Sequence, residues 1–205
     1  MQHETRALTI APELRAENGV KTARGYAAIF NSRTTIGGWF TEVIAPGAFT
    51  DTLRSADVRA LIDHDTGRVI GRSSVGTLRL SEDEKGLFVE IDLPDTTDGR
   101  DLAVQLERGD ISGMSFGFRV PLNGDDWSII DGMDARTINK LELIEVSAVA
   151  FPQYTDTEIA LRSRDDAKDK AEAQRKLAAD ANRQGFSART LAREADQEQR
   201  FRRIS

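Results

Sequence analysis

Along residues 1–162, short runs of β-branched, aromatic and aliphatic residues are broken at close intervals by Gly, Asp and Asn. That spacing is the signature of a β-rich fold. Strands are predicted over 21–30, 39–44, 58–63, 76–80, 87–93, 113–120, 127–130 and 141–151, with a hairpin turn at Ser81-Glu82-Asp83-Glu84-Lys85-Gly86. Two short helices interrupt them. One is predicted from Pro46 to Leu53, where Pro46 suits a first helical turn and Phe49 and Leu53 share a face. The other runs from Asp98 to Arg108, with Asp98 as cap, Leu102 and Leu106 on one face and Gly109 at the stop.

The pattern changes at Ser163. Beyond it Ala, Arg, Asp, Gln and Lys dominate, and the large apolar residues thin to Leu177, Phe186, Leu191, Phe201 and Ile204. Such a segment can form solvated helix but buries little. The organisation expected is a flexible N-terminal segment over 1–19, a folded domain over 20–162 and a charged helical or disordered tail over 163–205. The tail holds 11 Lys+Arg and 8 Asp+Glu, whereas the whole chain holds 28 and 34, net −6. The negative charge therefore belongs to the body, and no basic stripe marks a nucleic-acid partner. No run reaches membrane-spanning length and no secretory signal pattern opens the chain, so a cytoplasmic protein without a membrane partner is expected. Without cysteine, disulfides, thiolate metal ligands and cysteine-protease chemistry are excluded.

Two segments carry reactive residue types. In Ile111-Ser112-Gly113-Met114-Ser115-Phe116-Gly117-Phe118, a strand would place Ser115 on the face opposite Met114, Phe116 and Phe118, with glycines on either side that let another backbone approach. A serine hydroxyl needs a base, and imidazole is the usual one. His3 lies in a polar stretch expected to fray, leaving His64 at the end of Ala60-Leu61-Ile62-Asp63-His64. Spacing alone equally accommodates a strand serine beside a bulge and an exposed turn histidine. Asp63 and Asp65 are poor partners for the ring, since neighbours in a strand point to opposite faces. Glu145 is favoured over Glu142 as an orienting carboxylate, because it sits in the apolar part of the run Leu141–Phe151, where an unpaired charge is costly.

Other chemistry is weakly supported. Asp95, Asp98 and Asp101, and Asp125, Asp126, Asp131 and Asp134, do not follow a calcium-loop spacing, and no phosphate-binding glycine loop is present. Neither metal nor cofactor is expected. Gly113-Met114-Ser115-Phe116-Gly117 matches the bare nucleophile-elbow pattern, but β-like Phe118-Arg119-Val120 follows where a small-ester hydrolase needs a helix.

The chain resembles the prohead protease family of tailed bacteriophages. The resemblance rests on Gly25-Tyr26-Ala27-Ala28-Ile29-Phe30-Asn31, Glu42-Val43-Ile44-Ala45-Pro46-Gly47-Ala48-Phe49, Leu61-Ile62-Asp63-His64-Asp65 with Gly71-Arg72, the segment from Gly109 to Phe118, and Leu143-Ile144-Glu145-Val146-Ser147 with Pro152. It implies a mainly β fold with helices (α+β), a compact β-barrel surrounded by short helices like the herpesvirus capsid protease. It also implies Ser115 as nucleophile, His64 as general base and Glu145 as third member.

By the same resemblance the expected function is a serine endopeptidase of capsid maturation, packaged inside the procapsid in the host cytoplasm. Its expected partners are the major capsid protein and scaffold as substrates, with self-association and self-cleavage. The tail would then be a packaging or self-cleaved extension. A non-catalytic capsid assembly module built on the same fold is the alternative.

Overall fold

In the computed structural model, described residues are 3–17, 19–152, 164–179 and 181. They divide into a unit over Met1–Leu161 and a second over Arg162–Ser205. In the first unit thirteen strands and two α-helices follow in the order β1 (Glu4–Leu8), β2 (Glu13–Glu17), β3 (Val20–Ile29), β4 (Thr34–Ile36), β5 (Phe40–Ile44), α1 (Thr50–Ser55), β6 (Arg59–Ile62), β7 (Asp65–Arg72), β8 (Leu78–Glu82), β9 (Gly86–Asp92), α2 (Thr97–Arg108), β10 (Gly113–Arg119), β11 (Asp125–Ile130), β12 (Met133–Ile138) and β13 (Glu142–Val149). The fold is mainly β with a few helices, as the alternation of short runs predicts.

The strands form three sheets, in the orders β1-β10-β13-β6-β7, β11-β12-β5-β4 and β2-β3-β9-β8. No closed barrel forms among the described residues. The reason is in the pairing, because each sheet ends on outer strands that join no second neighbour.

Within the expected N-terminal lead, Glu4–Leu8 and Glu13–Glu17 are strands. β1 pairs along the whole of its length with β10, and β2 pairs with β3. Thr96, not Asp98, caps α2 by accepting from the Gly99 amide, and Gly109 ends the helix at φ 78°, a left-handed conformation that glycine adopts without penalty. In the second unit, residues 164–179 are helical and mostly exposed, as the scarcity of large apolar residues requires. The rest of the expected tail, apart from residue 181, lies outside the described residues.

Strand parity divides β10 between two jobs. Met114, Phe116 and Phe118 enter the main core with Phe49, Val146 and Ala148. Phe116 meets Phe49 edge-on at 5.6 Å and stacks on Phe118 at 5.1 Å. Ser115 and Gly117 take the opposite face.

A buried ion cluster fastens β1. Arg6 makes a two-pronged contact with Glu42 of β5 at 2.6 and 2.9 Å. Arg136 of β12 makes another with Glu4 at 2.8 and 3.0 Å, and reaches Glu42 at 3.1 Å and Asp125 at 2.7 Å. Paired guanidinium and carboxylate forks are among the strongest polar contacts, and burial makes each depend on its partner. Burial pushes the Glu4 carboxyl up, but Arg136 and Arg6 outweigh it and hold the group below the ordinary glutamate range.

Arg136→Ala takes the cation from Asp125 and leaves the buried Glu4 and Glu42 carboxylates to share Arg6 alone, at 2.8 and 2.6 Å, and is expected to cost about 3–5 kcal/mol at neutral pH, read by urea unfolding. A carboxyl lowered in the fold contributes fully above its unfolded value and loses that contribution as pH falls through the folded one. The cost of Arg136→Ala is accordingly expected to shrink below the ordinary glutamate range. A cost that is small at neutral pH or independent of pH would contradict this role for the cluster.

Candidate active site

His64 is displayed by a two-residue hairpin turn. Ile62 pairs with Asp65 across β6 and β7, and the residues between, Asp63 and His64, have φ of 48° and 61°. Two consecutive positive φ values give the turn whose twist matches antiparallel strands. It is secured from β13: the Asp63 amide donates to the Ala148 carbonyl at 3.0 Å, and the Asp63 carboxylate accepts from the Ala150 amide at 3.1 Å. Asp63 is thus a turn-holding residue and not a partner of the ring. Asp65 likewise spends its carboxylate on the Gly67 amide at 2.8 Å.

β13 lies beside β6 in parallel register and carries Glu145 and Ser147 on one face. The His64 Nδ1 stands 2.7 Å from Glu145 Oε1. The other carboxylate oxygen, Oε2, accepts from the Ser147 hydroxyl at 2.6 Å, and the Ser147 oxygen accepts from the His64 amide at 3.2 Å. One hydroxyl therefore ties the carboxylate to the turn that carries the imidazole. An ionised carboxylate only accepts, so this contact puts the ring proton on Nδ1 of the neutral imidazole and the basic lone pair on Nε2. Glu142 stands at the exposed end of β13, opposite Arg119, and does not join the group.

On its other side β13 pairs with β10, and the register sets Ser115 directly opposite Ser147 and Gly117 opposite Glu145. Opposed residues in antiparallel strands share a face and lie about 4.5–5.5 Å apart at Cβ. Ser115 and Glu145 thus share one face of the five-stranded sheet, and the His64 ring meets Glu145 there. The Ser115 hydroxyl donates at 2.9 Å to the carbonyl of Arg6 in β1 rather than to His64, and the residue is 1% exposed.

The glycine of Ser115-Phe116-Gly117 has a local reason. A Cβ there would collide with the Glu145 carboxylate and come within 2.5 Å of the His3 ring. The step after Gly117 is bulged: Phe118 pairs with Leu143, so Ile144 has no opposite number.

His3, Ser147 and β1 are the neighbours that sequence reasoning missed. Ser147 had a visible signal, since it lies two residues from Glu145 in a strand and so must share its face. His3 had none, because its place depends on β1 docking through contacts far along the chain. Of the acidic groups weighed for metal binding, Asp95 meets Arg100, Asp98 meets Arg68 and Asp125 meets Arg136, while Asp126 accepts from the Asn139 side-chain amide.

Sequence comparison decides the family. The profile of the caudovirus prohead serine proteases matches residues 8–171. The chain belongs to that family. The prohead protease of Enterobacteria phage HK97 is 34% identical over 141 residues, a match covering 66% of this chain and 57% of the relative. The chain thus matches a little over half the length of that curated relative. Among solved structures, the capsid assembly protease of bacteriophage T4 is similar in fold, with TM-score 0.52 and 10% identity over 74% of this chain and 98% of that one.

Proposed function

We propose that this prohead protease family member is a Ser-His-Glu endopeptidase that cuts capsid precursor or scaffold inside the procapsid, in the host cytoplasm, and also cuts itself. The observation that carries the reading is the 2.7 Å contact of His64 Nδ1 with Glu145, on the same sheet face as Ser115. In a Ser-His-acid site the carboxylate fixes the tautomer and stabilises the imidazolium that forms when the hydroxyl proton is taken. Ser115 Oγ then attacks the peptide carbonyl, and its proton passes to His64 Nε2. The imidazolium gives that proton to the departing amine as the acyl-enzyme forms. Water, deprotonated by the same nitrogen, hydrolyses the ester.

Ser147 is a second hydroxyl near the pair, but its proton is committed to Glu145, on the Nδ1 side of the ring. It suits positioning rather than attack. Ser147→Ala is expected to lower kcat about 10–100-fold with little change in KM, by analogy with the loss of groups that orient a catalytic ligand. Ser147→Thr, which keeps the hydroxyl, should recover part of the rate. A KM effect without a kcat effect would contradict positioning.

The same fold could serve a capsid without chemistry, as an assembly module acting through the exposed helix at 164–179. Co-expression with capsid precursor, read on gels of the isolated shells, separates the two. The protease reading predicts shortened precursor with the wild-type chain. Full-length precursor with the wild-type chain, together with failure of incorporation only on deleting the tail, would favour the module.

A further inference from the structure

The edge of β10 that carries Ser115 is covered by a strand of the same chain. β13 holds one side of β10, bringing Glu145 and Ser147, and β1 holds the other in continuous antiparallel register from Leu8 opposite Met114 to Glu4 opposite Phe118. The group against the Ser115 hydroxyl is itself a peptide carbonyl, that of Arg6. An extended peptide bound for cleavage would need the same things: an open strand edge for its backbone and a carbonyl beside this hydroxyl.

β1 is well suited to leave. It is the outermost strand of its sheet, so its departure would leave β10-β13-β6-β7 and the His64–Glu145 contact intact. It is only five residues long. The family profile begins at residue 8, the last residue of β1, so the strand lies almost wholly outside the shared region. Its clamp is ionic and divisible: with Glu4 and Arg6 both removed, Arg136 still pairs with Glu42 and Asp125. The chain ahead of β1 also continues over the site, with the His3 ring against Gly117 beside Glu145.

We propose that the β10 edge is the binding site for the extended peptide substrate, and that β1 is its resident internal occupant and must detach before Ser115 can act. This rests on the protease reading above. In that state the protein is shut off by its own strand, and the Glu4–Arg136 and Arg6–Glu42 contacts set how firmly.

Because the chain has no cysteine, a reversible lock is simple to build. Leu8 and Met114 are opposed across β1 and β10, within the Cα separation that a disulfide spans. The full-length Leu8→Cys, Met114→Cys protein is compared, oxidised and reduced, for the rate of fluorophosphonate labelling of serine and for cleavage of capsid precursor. The oxidised form is expected to label at least about tenfold more slowly and to leave the precursor uncut, with both activities returning on reduction. The Glu4→Ala, Arg6→Ala double variant, which loosens β1 without orphaning a charge, should label faster than the wild type.

Equal labelling and cleavage by oxidised and reduced protein would overturn the proposal while leaving the protease reading in place. A folded double variant that labels no faster than the wild type would overturn it also. No labelling and no cleavage by any form would contradict the protease reading and remove this proposal with it.

Discussion

Replacing Ser115 with Ala is expected to leave a folded protein that no longer cuts capsid precursor or itself, with a loss on the order of 10⁴–10⁶ in kcat. The size follows from the chemistry, because the proposed acyl intermediate forms on this hydroxyl and binding alone retains only the residual catalysis of an oriented site. Folding should survive, since the serine faces away from Phe49, Phe116 and Phe118 and gives up one hydrogen bond, to the Arg6 carbonyl. Such a bond contributes about 1 kcal/mol. His64→Ala should produce a loss of similar order, because members of a catalytic unit do not contribute additively. Intact-mass spectrometry of each variant after incubation with precursor reads both cleavages. Fragments made by Ser115→Ala at the wild-type rate would contradict the assignment.

Glu145→Gln is the second large effect. The amide keeps the shape of the side chain but can turn an NH₂ donor toward Nδ1, favouring the tautomer with its proton on Nε2, where it cannot accept from serine. A loss of roughly 10³–10⁴ in kcat is expected, the scale seen when a triad carboxylate becomes an amide elsewhere. Glu142→Gln, on an exposed strand end, should change kcat less than about twofold. Steady-state kinetics on the pair distinguish them. Equal effects, or the larger one at Glu142, would show that the close contact at His64 Nδ1 is not the catalytic one.

Parity within strands makes much of the candidate site legible in the sequence. The alternation Met114, Ser115, Phe116, Gly117, Phe118 puts the serine on the non-core face, and the apolar surroundings of Glu145 mark it as a carboxylate that needs a partner. Both are read from period two. The convergence of the two strands was not legible, because the β10–β13 register depends on pairing across the intervening β11–β12 hairpin. The turn at His64 was legible only as one of two open readings. It uses Asp and His at positive φ, positions where Asn-Gly or Asp-Gly would have announced a hairpin.

β1 was missed for a different reason. Glu4-Thr5-Arg6-Ala7-Leu8 reads as an exposed, charged lead, yet its charges are buried against Glu42 and Arg136. Their partners lie 36 and 132 residues away, a separation no local pattern encodes. β7 escaped similarly, since its Thr66-Gly67-Arg68 stretch lacks the apolar alternation of a half-buried strand. The compact β-barrel was implied by the resemblance and not by the residues, and the described strands pair as three sheets.

Two hydroxyls, those of Ser115 and Ser147, lie on the shared face of β10 and β13, and the proposed mechanism uses only the first as nucleophile. The most direct measurement is to locate the covalent adduct left by a fluorophosphonate on the full-length protein, by peptide mass spectrometry, in the wild-type and His64→Ala chains. The adduct is expected on Ser115 in the wild type and absent, or formed at least about a thousandfold more slowly, without the imidazole. An adduct on Ser147, or on Ser115 at an unchanged rate in His64→Ala, would contradict the Ser115–His64–Glu145 site.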